Sequence, residues 1–263
     1  MEIKEISEFE NKGYWISKIR ESDWSAGKYL AELLEANQFY TLCGKTSKVF
    51  LLVEKSELIS FCTFAEKDDI PDTELTPWIG FVYTFPVFRG KRRIGKLIEH
   101  IYLLAKQGGF ENLYVSTDQK GLYENFGFIF IGTKKDMRGG DSLVYKLPIE
   151  NKDYSDVLGK TVKGKIDRPL GSRHPKNPDM IYPLNYGYVS DVFADDGEEQ
   201  DVYIFGTDKP ILEYEGKVIA VYHRLNDCED KWIVSLDGKQ YPASEILERI
   251  NFQEQYYMGE LYL

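Results

Sequence analysis

Up to Pro148, helix-spaced and strand-like runs alternate; beyond it, strand follows strand with almost no helix between. In the first part, residues 25–38 (SAGKYLAELLEANQ) have apolar residues at helical spacing, with Ser25 as a candidate cap. Residues 49–53 and 58–64 are short apolar runs joined by Glu54-Lys55-Ser56-Glu57, which predicts a hairpin. Residues 78–85 (WIGFVYTF) form a strand-like run. A helix follows, in which Ile94, Leu97, Ile98, Ile101, Leu104 and Ala105 recur every three or four positions until Gly108-Gly109. Strand signals at 113–117, a short helix at 121–125 and a strand pair at 128–132 and 142–147 complete the part. Past the connector at 148–153, strand signals come at 161–166, 186–192, 201–205, 217–223 and 231–236, with one helix at 243–250. The expected fold is α+β: helices packed on a mixed sheet over residues 1–150, then a small closed β-barrel over 151–263.

At 263 residues, the chain is long enough for two domains of ordinary size, and 43% apolar residues supply their cores. Its net charge of -10 disfavours nucleic acid as a partner. The charge is uneven. Residues 1–150 carry 20 basic and 22 acidic side chains (net -2), and the remainder carries 13 and 21 (net -8). No apolar run approaches the ~18 residues of a membrane span, and the acidic start Met1-Glu2-Ile3-Lys4-Glu5 lacks the layout of a secretion signal. Cys43, Cys62 and Cys228 have unrelated spacings, so neither a disulfide framework nor a zinc knuckle is expected; the simplest expectation is a reducing, cytoplasmic setting.

Between a strand and an amphipathic helix lies Pro86-Val87-Phe88-Arg89-Gly90-Lys91-Arg92-Arg93-Ile94-Gly95. A turn that opens a helix presents backbone N–H groups and a favourable dipole to an anion. Cations there oppose the dipole, a cost that a bound polyphosphate would remove. The plainer reading is a solvated basic loop. The run FVYTFPVFRGKRRIGKLIEHI, followed by LYVSTDQKGLYENFGF, resembles the GNAT family of acetyl-CoA-dependent N-acetyltransferases over roughly residues 14–147. The resemblance implies that acetyl-CoA is bound by Arg89, Gly90, Lys91, Arg92, Arg93, Ile94 and Gly95, although Arg93 stands where the family usually has a glycine. It also implies that the strand around Phe81 and Tyr83 holds the pantetheine end through its main chain, and that an amine, unnamed by the sequence, is the acceptor.

The same resemblance makes Tyr123 the general acid beside the departing sulfur. A phenol of pKa near ~10 can protonate a thiolate whose conjugate acid is near ~8.5. The alternative is that Tyr123, one of nineteen tyrosines, packs a helix on the sheet. No general base is evident. Glu66, Asp72 and Glu74 are candidates that also read as exposed loop carboxylates, and His100 reads as a surface or packing residue.

The second part holds two acidic runs, Asp195-Asp196-Gly197-Glu198-Glu199-Gln200-Asp201 and Asp227-Cys228-Glu229-Asp230. Acids this dense are either solvated loops or ligands of a hard cation. With Tyr182-Pro183-Leu184-Asn185-Tyr186-Gly187-Tyr188 ahead of them, they resemble soluble, Mg²⁺-dependent inorganic pyrophosphatases of the OB-like barrel type, over about residues 160–258. That resemblance implies Mg²⁺ at Asp196, Glu198, Asp201, Asp227 and Asp230, with Asp201 also catalytic. It implies pyrophosphate or another phosphorylated compound at Arg173, Tyr186, Lys231 and Tyr256. The second acidic run is shorter than the family's, Tyr257 replaces a lysine, and Asp167 is the nearest substitute for an early acid. The competing expectation is an acyl-CoA-binding module fused to an inactive barrel that binds a different phosphorylated compound or serves as a scaffold.

Overall fold

In the computed structural model, which describes residues 1–194 and 196–263, the chain divides into two compact units, Met1–Glu150 and Asn151–Leu263. Asp195, part of the first acidic run, lies outside the described residues.

The first unit opens with β1 (Glu2–Glu5), α1 (Lys12–Arg20), α2 (Ser25–Glu35) and α3 (Phe39–Cys43). In α2 the 3.6-residue period buries Leu30, Ala31 and Leu33. Trp24 takes the N-cap position without a side-chain bond, so Ser25 is the first helical residue rather than the cap. The expected hairpin forms as β2 (Lys48–Glu54) and β3 (Glu57–Ala65), followed by β4 (Trp78–Thr84), α4 (Arg93–Gln107), β5 (Asn112–Thr117), β6 (Ile129–Lys135) and β7 (Asp141–Pro148). The seven strands make one sheet in the order β1-β2-β3-β4-β5-β7-β6, with β4–β5 its parallel pair. Helices α1 to α3 and strands β2 to β4 share a core that includes Trp15, Leu30, Phe39, Leu51, Phe61 and Tyr83. Helix α4 buries Leu97, Ile98, Ile101 and Ala105. Each of these leucines and isoleucines, fully buried, contributes roughly 1.5–3 kcal/mol.

The second unit contains β8 (Thr161–Arg168), β9 (Asn185–Phe193), β10 (Glu199–Phe205), β11 (Glu213–Arg224), β12 (Asp230–Ser235), α5 (Ala243–Glu254) and β13 (Gly259–Tyr262). The sheet runs β12-β10-β9-β8-β11-β13, and β12 also pairs with β11. That extra pairing closes β8 to β12 into a five-stranded barrel, with β13 attached to β11. Closure draws β8 and β9 very close at Gly164 and Gly187, where an added Cβ would lie 1.9 and 2.0 Å from carbonyl oxygens of the opposite strand. Among the described residues, no helix is long and apolar enough to cross a membrane. Cys43 and Cys62 are buried free thiols, and Cys228 is exposed and free.

Candidate functional site

Strands β4 and β5 share one ladder pair, Trp78↔Tyr114, joined by the Tyr114 N–H donating to the Pro77 carbonyl at 2.9 Å. Beyond it they part, β4 staying with β3 and β5 with β7. The register of β3 and β4 shifts between the pairs Phe61↔Tyr83 and Thr63↔Gly80, which leaves a bulge on β4. Phe81 in this bulge has φ 48°, a strained value for a non-glycine residue. Bulges re-aim strands beside binding sites, and this one bends β4 where the gap opens. The Tyr83 ring turns away into the core. It stacks on Phe61 at 5.2 Å and Trp24 at 6.0 Å, and its O–H donates to Asp23 Oδ1 at 2.5 Å. Its carbonyl accepts from the buried Ser60 Oγ of β3 at 2.5 Å.

The basic turn leads from β4 through the short 3-10 helix Pro86–Phe88 into α4. Gly90 has φ 78° and Arg92, at the N-cap, φ 49°; no side chain caps the helix. The uncapped start is what an anion site requires. The cations divide their work. Arg89 Nε donates to the Thr84 carbonyl at 2.9 Å, with its guanidinium carbon 5.4 Å from the Tyr83 ring centre. Arg93 Nη1 lies 3.2 Å from Glu54 Oε2. Arg92 Nη2 donates to the Asn125 carbonyl at 3.3 Å, and Lys91 is exposed. Two of the four expected phosphate cations are therefore committed to carboxylates or strand carbonyls, and the backbone carries more of the cradle than the charge pattern implies. Gly95 matters for a different reason: a Cβ there would come within 3.2 Å of the Phe126 ring.

Phe126 belongs to the 3-10 helix Tyr123–Phe126, so the turn carrying Tyr123 packs directly on the start of α4. Tyr123 is 5% exposed and lies edge-on to Phe128 at 5.5 Å. Burial, assisted by the charges of Asp68, Cys62 and Asp118, raises its phenol well above the ordinary value. It is fully protonated at neutral pH, and a weaker acid than the sequence comparison with a free phenol implies.

One acid was missed by sequence reasoning. Asp68, in the loop after β3, is partly buried; its Oδ2 lies 3.3 Å from Ser116 Oγ of β5, whose hydroxyl makes a shorter bond, 2.6 Å, to Asp69 Oδ1. Its two carboxylate oxygens lie 3.5 and 3.6 Å from where a Gly80 Cβ would stand on β4. Thr63 Oγ1 is 2.9 Å from the same point, buried and without a hydrogen-bond partner. Burial first, then the charge of Asp69, pushes the Asp68 carboxyl up to about 7. The candidates named from sequence lie elsewhere. Glu66 accepts from the Thr46 N–H and hydroxyl at 2.7 and 2.6 Å, while Asp72 and Glu74 are exposed. His100 packs against Phe50 at 4.7 Å. Nothing in the local pattern Glu66-Lys67-Asp68-Asp69 marks the third residue; tertiary packing selects it.

Residues 15–128 match the model of the family described as Acetyltransferase (GNAT) family. The first unit thus contains a segment similar to that family. The match covers less than half of the chain and lies wholly within this unit. Similar solved structures include an aminoglycoside 6'-N-acetyltransferase complexed with coenzyme A (12% identity, 58% of this chain and 99% of that one, TM-score 0.44). Others are an acetyltransferase from Streptococcus agalactiae (22%, 55% and 96%, TM-score 0.41) and a GNAT family acetyltransferase from Elizabethkingia anophelis with acetyl-CoA bound (16%, 44% and 82%, TM-score 0.35). No curated protein matches the chain.

In the second unit, the barrel does not gather its acids as expected. Among the described residues, no three His, Cys, Asp or Glu side chains come together to hold a metal. Asp196 accepts from the Glu198 N–H within its own turn, and the Glu198 side chain is exposed. Asp201 and Glu229 both contact Nζ of Lys231, which is 1% exposed. Asp227 accepts from Arg224 Nη1 at 2.9 Å. Asp230 bonds His223 Nδ1 at 2.7 Å and Tyr154 Oη at 2.6 Å; burial opposes its charge, but these partners outweigh it and hold the carboxyl below its ordinary range. Arg224, buried, forms two bonds to Glu254 at 2.8 and 2.9 Å, and Glu254 accepts from Tyr203 at 2.5 Å. Burial disfavours the guanidinium charge, yet Glu254 reverses the balance and holds it charged. The five acids thus answer to Arg224, Lys231 and His223, or to a local turn, and do not fit a Mg²⁺ cluster.

The expected phosphate ligands also scatter. Tyr186 is buried with Lys231 Nζ 5.9 Å from its ring centre, but Arg173 is exposed and donates to the Pro178 carbonyl of its own loop at 2.7 Å. Tyr256 is 49% exposed; its neighbour Tyr257 covers Arg224 at 3.5 Å. Of two adjacent tyrosines after a helix end, only one can face inward, and here it is the second. Glu254 left a readable sign, since it extends the buried helical stripe Ile246, Ile250 by one more turn.

Proposed function

We propose that residues 1–150 transfer an acetyl group from acetyl-CoA to an amine. The observation that carries this reading is the gap beyond Trp78↔Tyr114, with an uncapped helix start at Arg93 on one side and Tyr123 packed against that start through Phe126 and Gly95. The loop Arg89 to Gly95 would receive the pyrophosphate on backbone N–H groups, with Lys91 and Arg92 adding charge. The main chain of Phe81 and Tyr83 would align the pantetheine arm and thioester. Tyr123 would donate to the sulfur as its negative charge develops. The relatives crystallised with coenzyme A or acetyl-CoA support the choice of cosubstrate for the domain type.

Titration calorimetry with CoA on the full chain tests binding, and no heat at micromolar concentrations would end the reading. An amine panel with thiol detection tests transfer. Tyr123→Phe should then lower kcat by ~10²-fold or more while leaving CoA affinity within about twofold. An unchanged rate would reduce Tyr123 to packing.

For the barrel, the pyrophosphatase reading rests on the residue run alone. The pairing of its acids with Arg224, Lys231 and His223 favours the competing reading, a barrel that accompanies the GNAT domain without metal-dependent hydrolysis. Phosphate release from pyrophosphate by the full chain, above a Lys231→Met control, would overturn this.

A further inference from the structure

We propose that Asp68 is the general base of the transfer, taking the proton from the amine nitrogen as it bonds to the thioester carbon; this rests on the acetyltransferase reading above. The position of its carboxylate carries the proposal. Where β4 and β5 part, Asp68 reaches Ser116 on β5 and stands over Gly80 on β4, so its oxygens lie across the mouth of the gap. A Cβ at Gly80 would meet Thr63 Oγ1 at 2.9 Å and stand in van der Waals contact with the carboxylate. The unpartnered Thr63 hydroxyl faces the same space, a buried polar atom left for something that is not part of the chain. A carbonyl oxygen or an amine N–H would satisfy it.

The titratable groups facing Asp68 are Asp69 from its own loop, Tyr123 from the 3-10 turn and Cys43 from α3. None is basic. Burial and the Asp69 charge raise the carboxyl from 3.8 to about 7, while the Asp69 N–H and Ser116 hold it back from going further. A base poised near the working pH takes a proton and releases it with little cost in either direction. Tyr123, raised by burial, keeps its proton over the same range, so one gap holds an acceptor and a donor set apart by environment.

The balance is complete with groups already named. The amine lone pair forms the N–C bond, and a proton on the resulting cationic nitrogen passes to Asp68. The C–S bond breaks with its electron pair on sulfur, and Tyr123 gives sulfur a proton. Asp68 then returns its proton to the Tyr123 phenolate through solvent. Amine and acetyl-CoA become amide and CoA thiol.

The experiment compares pH profiles of kcat for the wild-type full chain, Asp68→Asn and Asp68→Glu with one acceptor from the panel, alongside CoA titrations of each. Asp68→Asn should lower kcat by ~10²-fold or more, leave CoA affinity within about twofold, and abolish the wild-type inflection near pH 7. Asp68→Glu should restore part of the rate and an inflection. A wild-type chain that binds CoA but acetylates no amine would remove the parent reading, and this proposal with it. A wild type that transfers, together with an Asn variant that keeps its rate or its inflection, would overturn the base assignment alone. Should the Asn variant fail to bind CoA, the ¹³C carboxyl resonance of Asp68 in the wild-type protein decides: titration near 7 supports the assignment, and titration near 4 ends it.

Discussion

The two units treat their acids in opposite ways. In the first unit Asp68 has another carboxylate, Asp69, beside it, shares the Ser116 hydroxyl with that neighbour, and has no cation among the described residues to compensate its charge. In the barrel, Asp201, Asp227, Glu229, Asp230 and Glu254 each sit against Arg224, Lys231 or His223. An uncompensated buried acid strains the fold and is useful only when a ligand or a proton relieves it. A compensated one stiffens the fold and leaves little to offer a ligand. Density of acids in a sequence is thus a poor guide to chemistry. Asp201, Asp227, Glu229 and Asp230 of the dense runs are paired, and an acid of a shorter loop run, Asp68, is the reactive candidate.

That contrast can be broken most forcefully at Arg224. Arg224→Met leaves Glu254 buried without its cation, and should destabilise the barrel by roughly 3–5 kcal/mol, read as an earlier barrel transition in calorimetry of the full chain. Arg224→Met with Glu254→Leu should recover much of the loss; a double variant no better than the single would mean that the pair does more than neutralise charge.

Asp68 should move the other way. Because its folded-state pKa is raised, the folded protein binds this proton more tightly than the unfolded chain does, and stability falls as pH rises from about 4 to about 7. Asp68→Asn should therefore stabilise the first unit above pH 7, by roughly 2–4 kcal/mol, and give no gain near pH 4. Urea denaturation at the two pH values reads the difference. Equal stabilities at pH 8 would show the carboxylate to be better solvated than its position implies.

The smallest expected effect is that of magnesium. A true cluster at ~100 times its dissociation constant would add ~2.7 kcal/mol to the barrel. With its acids already paired, the barrel transition should shift by less than about 0.5 kcal/mol relative to sodium chloride at matched ionic strength. A shift of the larger size would show that Mg²⁺ displaces Lys231 and Arg224.

What could be read from the sequence was what local pattern determines. The period of α4, the hairpin β2–β3 and the strand-rich second part were legible because each buries a face whose spacing is written in consecutive residues. The basic turn was legible as a position, since glycines and a helix start mark it. The duties of its cations were not, because Glu54 reaches Arg93 only through the folded sheet and the Thr84 carbonyl reaches Arg89 only through the shape of the turn. The same limit hid Asp68, whose neighbours Gly80 and Ser116 are brought to it by strand order alone. In the barrel, resemblance carried residue types onto positions without fixing which way they face, and one place in the chain separates exposed Tyr256 from Tyr257 on Arg224.

The closing of the barrel has a consequence for the chain while it is being made. β12 joins β10 on one side and β11 on the other, so the strand at Asp230–Ser235 removes two open edges at once. Until it emerges, a nascent or truncated chain carries a completed first unit, all of whose strands precede residue 151, and an unfinished second sheet with apolar β10 and β11 unpaired at its rims. Such rims are templates for sticking to other chains. A ribosome that stalls, or a protease that cuts, just before Asp230 would release not a shortened enzyme but a seed for aggregation.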